Sequence, residues 1–323
     1  MTESPGSLQP LRIGYTRDSA ASILAEPDVL AVIGFGARAA HADDARVLRV
    51  GLDAIGDDTF EVWRANGPVR SGRSGSLAWS TDGDYGFVAI EADEAAHGGI
   101  AGAAEHAYRE LIAHVHSSAT PHVLRLWNYL DAINLGDGDD ERYRHFCVGR
   151  ARGMAETWST SYPAATAIGR RDGVRVLQVY ALTARIPGTP VENPRQVSAW
   201  RYPREYGPAA PTFARGMTTP ARQFLISGTA AVVGSASQHR GDIRAQLDET
   251  LANVGTLLAA GRAGAGERLG AGSVLKVYLR QHTDAALAES IVRERAPSLD
   301  GLLLLGGDIC RRELLIEIDG VHG

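Results

Sequence analysis

The sequence predicts an α+β fold in which one small unit is used twice. Strand-like apolar runs and helix-period segments recur in nearly the same order in the two halves of the 323-residue chain. Two pairs of segments also align locally: VLRLWNYL at Val123–Leu130 with VLKVYLRQ at Val274–Gln281, and VLQVYAL at Val176–Leu182 with ELLIEID at Glu313–Asp319. Between the halves lies a stretch of a different kind, Ile186–Pro220, which holds seven of the 14 prolines.

In the first half, Val29–Phe35, Val47–Leu52 and Phe60–Trp63 are apolar runs divided by Gly and Asp, the pattern of strands and turns. Ser71–Ser76 is a Gly/Ser/Arg loop, and Gly86–Ile90 reads as a strand. Ile100–His114 carries Ala104, Ala107, Tyr108, Leu111 and Ile112 at helical spacing. A strand at Val123–Leu130, a charged helix at Asp140–Met154 and a final strand at Val174–Leu182 follow. The second half opens with Phe224–Ser227 and Ala231–Val233 as strands. Asp242–Leu258 then places Ile243, Leu247, Leu251, Val254 and Leu258 on one helix face. The strand Val274–Leu279, the helix Asp284–Glu294 and the apolar runs Leu302–Leu305 and Leu314–Ile318 complete it. These divisions give a first domain at 1–187 with extra leading strands, a junction segment at 188–220 and a second domain at 221–323. The junction also carries Trp200, Tyr202, Tyr206 and Phe213, too aromatic for a flexible linker, so it is expected to pack across the two halves, where ligand sites often form.

Composition narrows the function. A net charge of −5 argues against nucleic-acid and anionic-membrane binding, both of which normally need a basic surface. No apolar run approaches the length of a membrane span, and MTESPGSLQP lacks the regions of a secretory signal, so a cytoplasmic protein is expected. Cys147 and Cys310 form no CxxC knuckle, and the ten histidines include no HExxH, so no metal is expected. Of 33 basic residues only Lys276 is lysine. Genome composition accounts for most of that surplus of arginine, whose planar fork nevertheless suits carboxylate recognition at individual positions.

Four groups of residues could carry chemistry. Gly34-Phe35-Gly36-Ala37-Arg38-Ala39 follows a strand and precedes Asp53, but the intervening segment leaves too little room for the crossover helix of a dinucleotide fold. A strand ending in a glycine turn explains it better. Glu317 lies in the apolar strand LLIEID, where alternation puts Glu313, Leu315 and Glu317 on one face. It is either an exposed edge residue or a buried carboxyl raised toward the range of a general acid. Cys310 is by itself a small buried hydrophobe as readily as a reactive thiol. On the helix from Glu141, Tyr143, Phe146 and Arg150 share a face, and Arg201, Arg204 and Arg215 sit among the junction tyrosines; these arginines are either solvated or aimed at a dianionic, ring-shaped ligand.

The second half, from FLISGTA at Phe224 through the QLDETLAN helix to LLIEID, resembles the RidA/YjgF superfamily of small, chorismate mutase-like α+β units. A more specific resemblance covers nearly the whole chain. Val32-Ile-Gly-Phe-Gly36, Arg125-Leu-Trp-Asn-Tyr129, Glu141 to Arg150, Pro163 to Gly169, Glu192 to Ala199, Tyr202 to Pro208, Ser227-Gly-Thr-Ala230 and Asp308-Ile-Cys-Arg311 together resemble the chorismatase family, enzymes related to FkbO that cleave pyruvate from chorismate. The resemblance implies two RidA-like halves with the active site at their junction and no cofactor. It implies that Glu317 protonates the methylene carbon of the enolpyruvyl ether. It also implies that Arg150, Arg215 and less directly Arg204 hold the two carboxylates, and that Tyr143, Tyr202, Tyr206 and Thr229 orient the ring hydroxyls and the ether. Cys310 just upstream of the acid implies the branch that makes 3-hydroxybenzoate rather than the hydrolytic branch that makes 3,4-dihydroxycyclohexa-1,5-diene-carboxylate; a second branch position falls around Gly228 to Ala230. An imine deaminase using Arg311 or Arg312 and a non-catalytic metabolite binder are the rival readings. The expected partner is thus a small molecule, chorismate, and a fused pair could imitate part of a trimer and remain monomeric.

Overall fold

The computed structural model of the chain describes residues 8–36, 43–155, 157–158, 161–261 and 268–323. The leading segment supplies β1 (Arg12–Thr16), α1 (Ala20–Leu24), β2 (Val29–Phe35), β3 (Val47–Val50), β4 (Asp53–Ala54) and β5 (Thr59–Arg64). Four of these strands pair in the order β1-β5-β2-β3. The unbroken apolar run VLAVIGF makes β2 buried at every residue, as expected of a strand covered on both faces. It ends at Gly36, whose φ of 102° is left-handed and whose missing Cβ makes room for the Asp58 carboxylate. Ala37 to Ala39 of the candidate dinucleotide motif lie outside the described residues.

The first unit runs β6 (Arg70–Ser74), β7 (Leu77–Thr81), β8 (Tyr85–Asp93), α2 (Ile100–Ser117), β9 (His122–Asp131), α3 (Arg142–Met154), β10 (Ala164–Arg170) and β11 (Val176–Ala184). The junction holds β12 (Thr189–Val191), single 3-10 turns at Ala199–Arg201 and Arg204–Tyr206, and β13 (Gly216–Thr218). The second unit runs β14 (Phe224–Thr229), β15 (Val232–Val233), β16 (Ala236–Ser237), α4 (Ile243–Gly261), β17 (Ser273–Leu279), α5 (Ala285–Arg295), β18 (Gly301–Gly306), β19 (Asp308–Ile309) and β20 (Ile316–His322).

The repetition is visible in the sheets. One has the order β19-β10-β9-β11-β8-β7-β6 and the other, taken from its far end, β4-β18-β17-β20-β14-β13-β12. Each contains one parallel pair, β9 with β10 and β17 with β18, and each is extended beyond that pair by a two-residue strand from elsewhere in the chain. The registers agree with both local alignments in the sequence. Tyr180 and Leu182 of β11 lie opposite Trp127 and Arg125, while Glu317 and Asp319 of β20 lie opposite Tyr278 and Lys276.

Three sequence expectations change. Ser71–Ser76 is not a loop: Arg70–Ser74 is an edge strand that turns back at Gly75 into β7. The strand β10, rich in alanine and poor in β-branched residues, carries no apolar alternation and was not predicted. The last strand begins only at Ile316, so Glu313 does not share its face, and it lies between β14 and β17 in the sheet interior rather than at an edge.

One core is shared by the three larger sheets, with Ile33, Trp63, Phe87, Trp127, Tyr180, Tyr278 and Leu305 among its members. The outer face of the first seven-stranded sheet is closed by α2 and α3, and that of the second by α4 and α5. The four-stranded sheet is covered outside by α1.

Candidate active site

A cavity of about 370 Å³ opens where the two units and the junction meet. The first unit contributes Tyr143 and Arg150 from α3 and Ala165, Thr166 and Ala167 from β10. The junction contributes Tyr202, Tyr206, Phe213 and Arg215, and the second unit Gly228, Ala230, Cys310, Arg311 and Glu317.

Glu317 reaches the cavity from the middle of the second sheet and is itself 4% exposed. Burial raises its carboxyl to about 8; the neighbouring Asp319 adds to the rise, and Arg215 and Arg125 oppose it. Space for the carboxyl comes from β14. Its pairing with β20 is irregular between Ile226 and Thr229, and Gly228 faces the acid so closely that a Cβ there would lie 2.0 Å from Glu317 Oε1. Ser227 fixes this turn of the strand. Its hydroxyl donates to the Ala214 carbonyl at 2.6 Å and accepts from the Ala165 N–H at 3.0 Å, tying β14 to the junction and to β10.

Two buried guanidiniums face the same space. Arg150 Nη2 donates to the Thr212 carbonyl at 2.7 Å, and its guanidinium carbon lies 5.2 Å from the Tyr108 ring centre. Arg215 Nη2 donates to the Val197 carbonyl at 2.8 Å and to the Tyr202 hydroxyl at 2.6 Å, and the group stacks between Tyr202 and Phe213. Both keep a buried Nε without a hydrogen-bond partner, and among the described residues neither forms an ion pair with a carboxylate. A buried unpaired cation is expensive, and an anionic ligand removes that cost. Arg311 forms part of the wall, 4.0 Å from the Tyr206 ring centre, with Nη1 on the Ser235 carbonyl.

Of the residues singled out in the sequence, Glu317, Cys310, Arg150, Arg215, Tyr143, Tyr202, Tyr206 and Ala230 all line the cavity. Burial, reinforced by Glu317, holds the Cys310 thiol far above its ordinary range, so it stands in the wall as a neutral thiol. Two candidates are not brought there. Thr229 points to the opposite face of β14 and donates its hydroxyl to the Ser227 carbonyl. Arg204 is largely exposed and pairs with Asp139 at 2.5 Å, joining the junction turn to the turn before α3. Thr166 was not singled out, Phe213 was named only as a junction aromatic, and Gly228 only within the branch position Gly228 to Ala230. Period-two alternation in FLISGTA separates Gly228 and Ala230 from Thr229 and was the available signal for one of them.

Residues 61–183 match the family described as chorismatase FkbO/Hyg5-like, N-terminal. The chain is 36% identical over 278 residues to a 3-hydroxybenzoate synthase of Streptomyces hygroscopicus, covering 81% of this chain and 80% of that protein. It is 34% identical over 280 residues to a chorismatase of Streptomyces rapamycinicus, covering 82% and 83%. A crystal structure of a chorismatase superposes with a TM-score of 0.87 at 29% identity, over 98% of this chain and 99% of that one. No helix among the described residues is long and apolar enough to cross a membrane.

Proposed function

Because the chain belongs to the chorismatase family, we propose that it cleaves chorismate to pyruvate and a ring product, with Glu317 as the acid and 3-hydroxybenzoate as the product. The observation that carries this reading is the pairing of a buried carboxyl at about 8 with two buried, carboxylate-free guanidiniums around one cavity. Chorismate is a dianion with one acid-labile enol ether, so it asks for two cationic anchors and one proton donor. Arg150 and Arg215 are the anchors, and Tyr143, Tyr202 and Tyr206 face the ring and its hydroxyls.

A glutamate near its ordinary range would be ionised at neutral pH and could not donate. Raised as it is, Glu317 holds its proton and delivers it to the terminal methylene carbon. The enol ether becomes an oxocarbenium ion, and its electron demand weakens the bond between the ether oxygen and the ring. In the branch proposed here the oxygen of the neighbouring ring hydroxyl displaces that oxygen, closing an epoxide across the two ring carbons, and its original carbon–oxygen bond then breaks, leaving the hydroxyl on the carbon that carried the ether. Pyruvate leaves, and loss of a ring proton, returned to the carboxylate of Glu317, aromatises the product. The atoms of pyruvate and 3-hydroxybenzoate together equal those of chorismate, so this branch consumes no water, whereas hydrolysis consumes one molecule. The neutral Cys310 thiol in the cavity wall supports the dry branch, since it shapes the surface against which the ring and its hydroxyl turn.

The test is to incubate the protein with chorismate and measure pyruvate, with chromatography of the ring product. Glu317→Gln should lower pyruvate release by about 10²- to 10⁴-fold, the usual worth of a positioned acid. No pyruvate from the wild type would overturn the reaction, and undiminished release by Glu317→Gln would overturn the acid. Cys310→Ala should move the product ratio toward the dihydrodiol, and an unchanged ratio would remove the thiol from the choice.

A further inference from the structure

Behind the cavity floor lies a buried group of charges that the reaction itself does not touch. Asp319, two residues beyond Glu317 on the same face of β20, is wholly buried. Its Oδ2 accepts from Tyr278 OH at 2.9 Å, Thr166 Oγ1 at 3.0 Å and Trp127 Nε1 at 3.1 Å, and lies 3.1 Å from Arg125 Nη2. Lys276, the single lysine of the chain, lies 2.7 Å from Glu61 and 3.8 Å from Asp319. Two cations and two carboxylates thus balance one another inside the shared core. Replacing such a cluster by apolar residues is often neutral or stabilising, so fold stability is a weak reason for it to be there.

We propose that Asp319 is a positioning residue that engages Arg125, so that this cation does not pair with Glu317. The groups facing Glu317 are Asp319 from its own strand, Tyr278 from β17, Arg125 from β9, Thr166 from β10, Tyr143 from α3, Cys310, and Arg215 from the junction. Only two of these are cations. Arg215 is held by the Val197 carbonyl and Tyr202 and faces the ligand space. Arg125 is held on the far side: Nη1 donates to the Gly320 carbonyl at 2.8 Å, and Nη2 serves Thr166 at 3.1 Å as well as Asp319. Thr166 Oγ1 and Glu317 Oε1 face the same point beside Gly228, so the threonine hydroxyl stands between the acid and the cluster. It donates to Asp319. Without the Asp319 charge, that hydroxyl and the Arg125 charge are both released toward Glu317, which then ionises more easily.

The inference rests on the reading of Glu317 as the acid, and its test is made independent of turnover. Infrared or carboxyl-labelled glutamate NMR titration of the unliganded protein reads the Glu317 midpoint directly, with Glu317→Gln identifying its signal. The wild type should titrate near 8. Asp319→Asn should lower the midpoint by at least about one unit, a tenfold loss of protonated acid above it, and Arg125→Met should raise it. The alkaline limb of kcat/KM for pyruvate release should move with each. A purely structural role would lower kcat or stability without opposite shifts. A wild-type midpoint below about 6, an unmoved midpoint in a folded Asp319→Asn protein, or shifts of the same sign in both variants overturns the proposal. Either variant suffices should the other fail to fold. A protein that releases no pyruvate but shows the opposite shifts refutes the proposed reaction and leaves the coupling standing.

Discussion

Gly228→Ala is the sharpest perturbation available at the acid. The backbone at Gly228 is not left-handed, so alanine is conformationally acceptable there and would by itself stabilise by about 0.4–1 kcal/mol through the unfolded chain. The difficulty is the space. An added Cβ would lie 2.0 Å from Glu317 Oε1, 2.9 Å from its carboxyl carbon and 3.3 Å from Thr166 Oγ1. Real contacts of this kind do not fall below 3.0 Å, so the carboxyl must retreat by at least about 1 Å. Behind it stands the Asp319 cluster; the free direction is into the cavity, where the proposed function places the substrate. Overpacking of about 1–3 kcal/mol is then partly offset by the backbone gain, and melting should change by only a few degrees. A 1 Å error in a reacting group costs on the order of 100-fold, about 2.7 kcal/mol of barrier. Activity should therefore fall far more than stability. The assay couples pyruvate to lactate dehydrogenase and follows NADH, with Gly14→Ala, which has nothing within 4 Å of its added Cβ, as the comparison. If Gly228→Ala retained kcat/KM within about twofold of the wild type, the placement of the acid against β14 would be refuted.

The raised carboxyl also has a sign in stability. Its folded value near 8 lies above the unfolded value of about 4.3, so between the two the native state holds a proton that the unfolded chain has lost. That contribution is complete below the unfolded value and is lost as pH rises through the folded one, by up to about 1.4 kcal/mol per pH unit. Thermal melts from about pH 5 to pH 8 should fall more steeply for the wild type than for Glu317→Gln, and parallel slopes would contradict the burial of a neutral acid. The two arginine environments should separate cleanly. Arg215→Ala should cost about 10- to 100-fold in kcat/KM, the worth of a buried charged hydrogen bond, whereas Arg204→Ala, which removes an exposed pair, should stay within about twofold. Equal losses in the two variants would place Arg204 in contact with substrate.

What the sequence makes legible is what periodicity can write. The long helices α2 and α4 and the strand β2 are marked by apolar spacing alone, and the repeated unit by two short alignments that the registers of β9 with β11 and β17 with β20 reproduce. The strand β6 is invisible because it is an edge strand with no buried face; its residues RSGRS are held by backbone pairing to β7. Arg204 illustrates a second limit. A guanidinium among tyrosines looks the same in sequence whether a substrate or Asp139 answers it, and only the position of the turn Arg204–Tyr206 decides. Thr229 illustrates a third: alternation shows that it and Gly228 face opposite ways, but which way is in depends on the partner strand β20. Asp319 was in view as the end of LLIEID, yet its importance comes from Arg125, Thr166 and Lys276, which are distant in sequence.

The repeat itself explains why the acid occurs once. By register, the first unit's counterpart of Glu317 is Tyr180, and that of Asp319 is Leu182, while Arg125 and Lys276 occupy matching places on the two central strands. Both units therefore hold a buried cation at this place, but only the second has an acid, Asp319, opposite it. In the first unit the space is filled by rings instead, with Tyr180 stacked on Trp127 at 4.8 Å. Arg125 consequently turns to Asp319 of the other unit at 3.1 Å, while Lys276 pairs with Glu61 from the leading sheet at 2.7 Å and stands 3.8 Å from Asp319. An aspartate at the Leu182 position would find both cations already engaged and would stand in the core as an unpaired charge, at a cost of several kcal/mol. The extra leading strands thus do more than enlarge the first unit: by bringing Glu61 to Lys276 they neutralise the second cation, so that the buried acid Glu317 meets no free positive charge from Lys276.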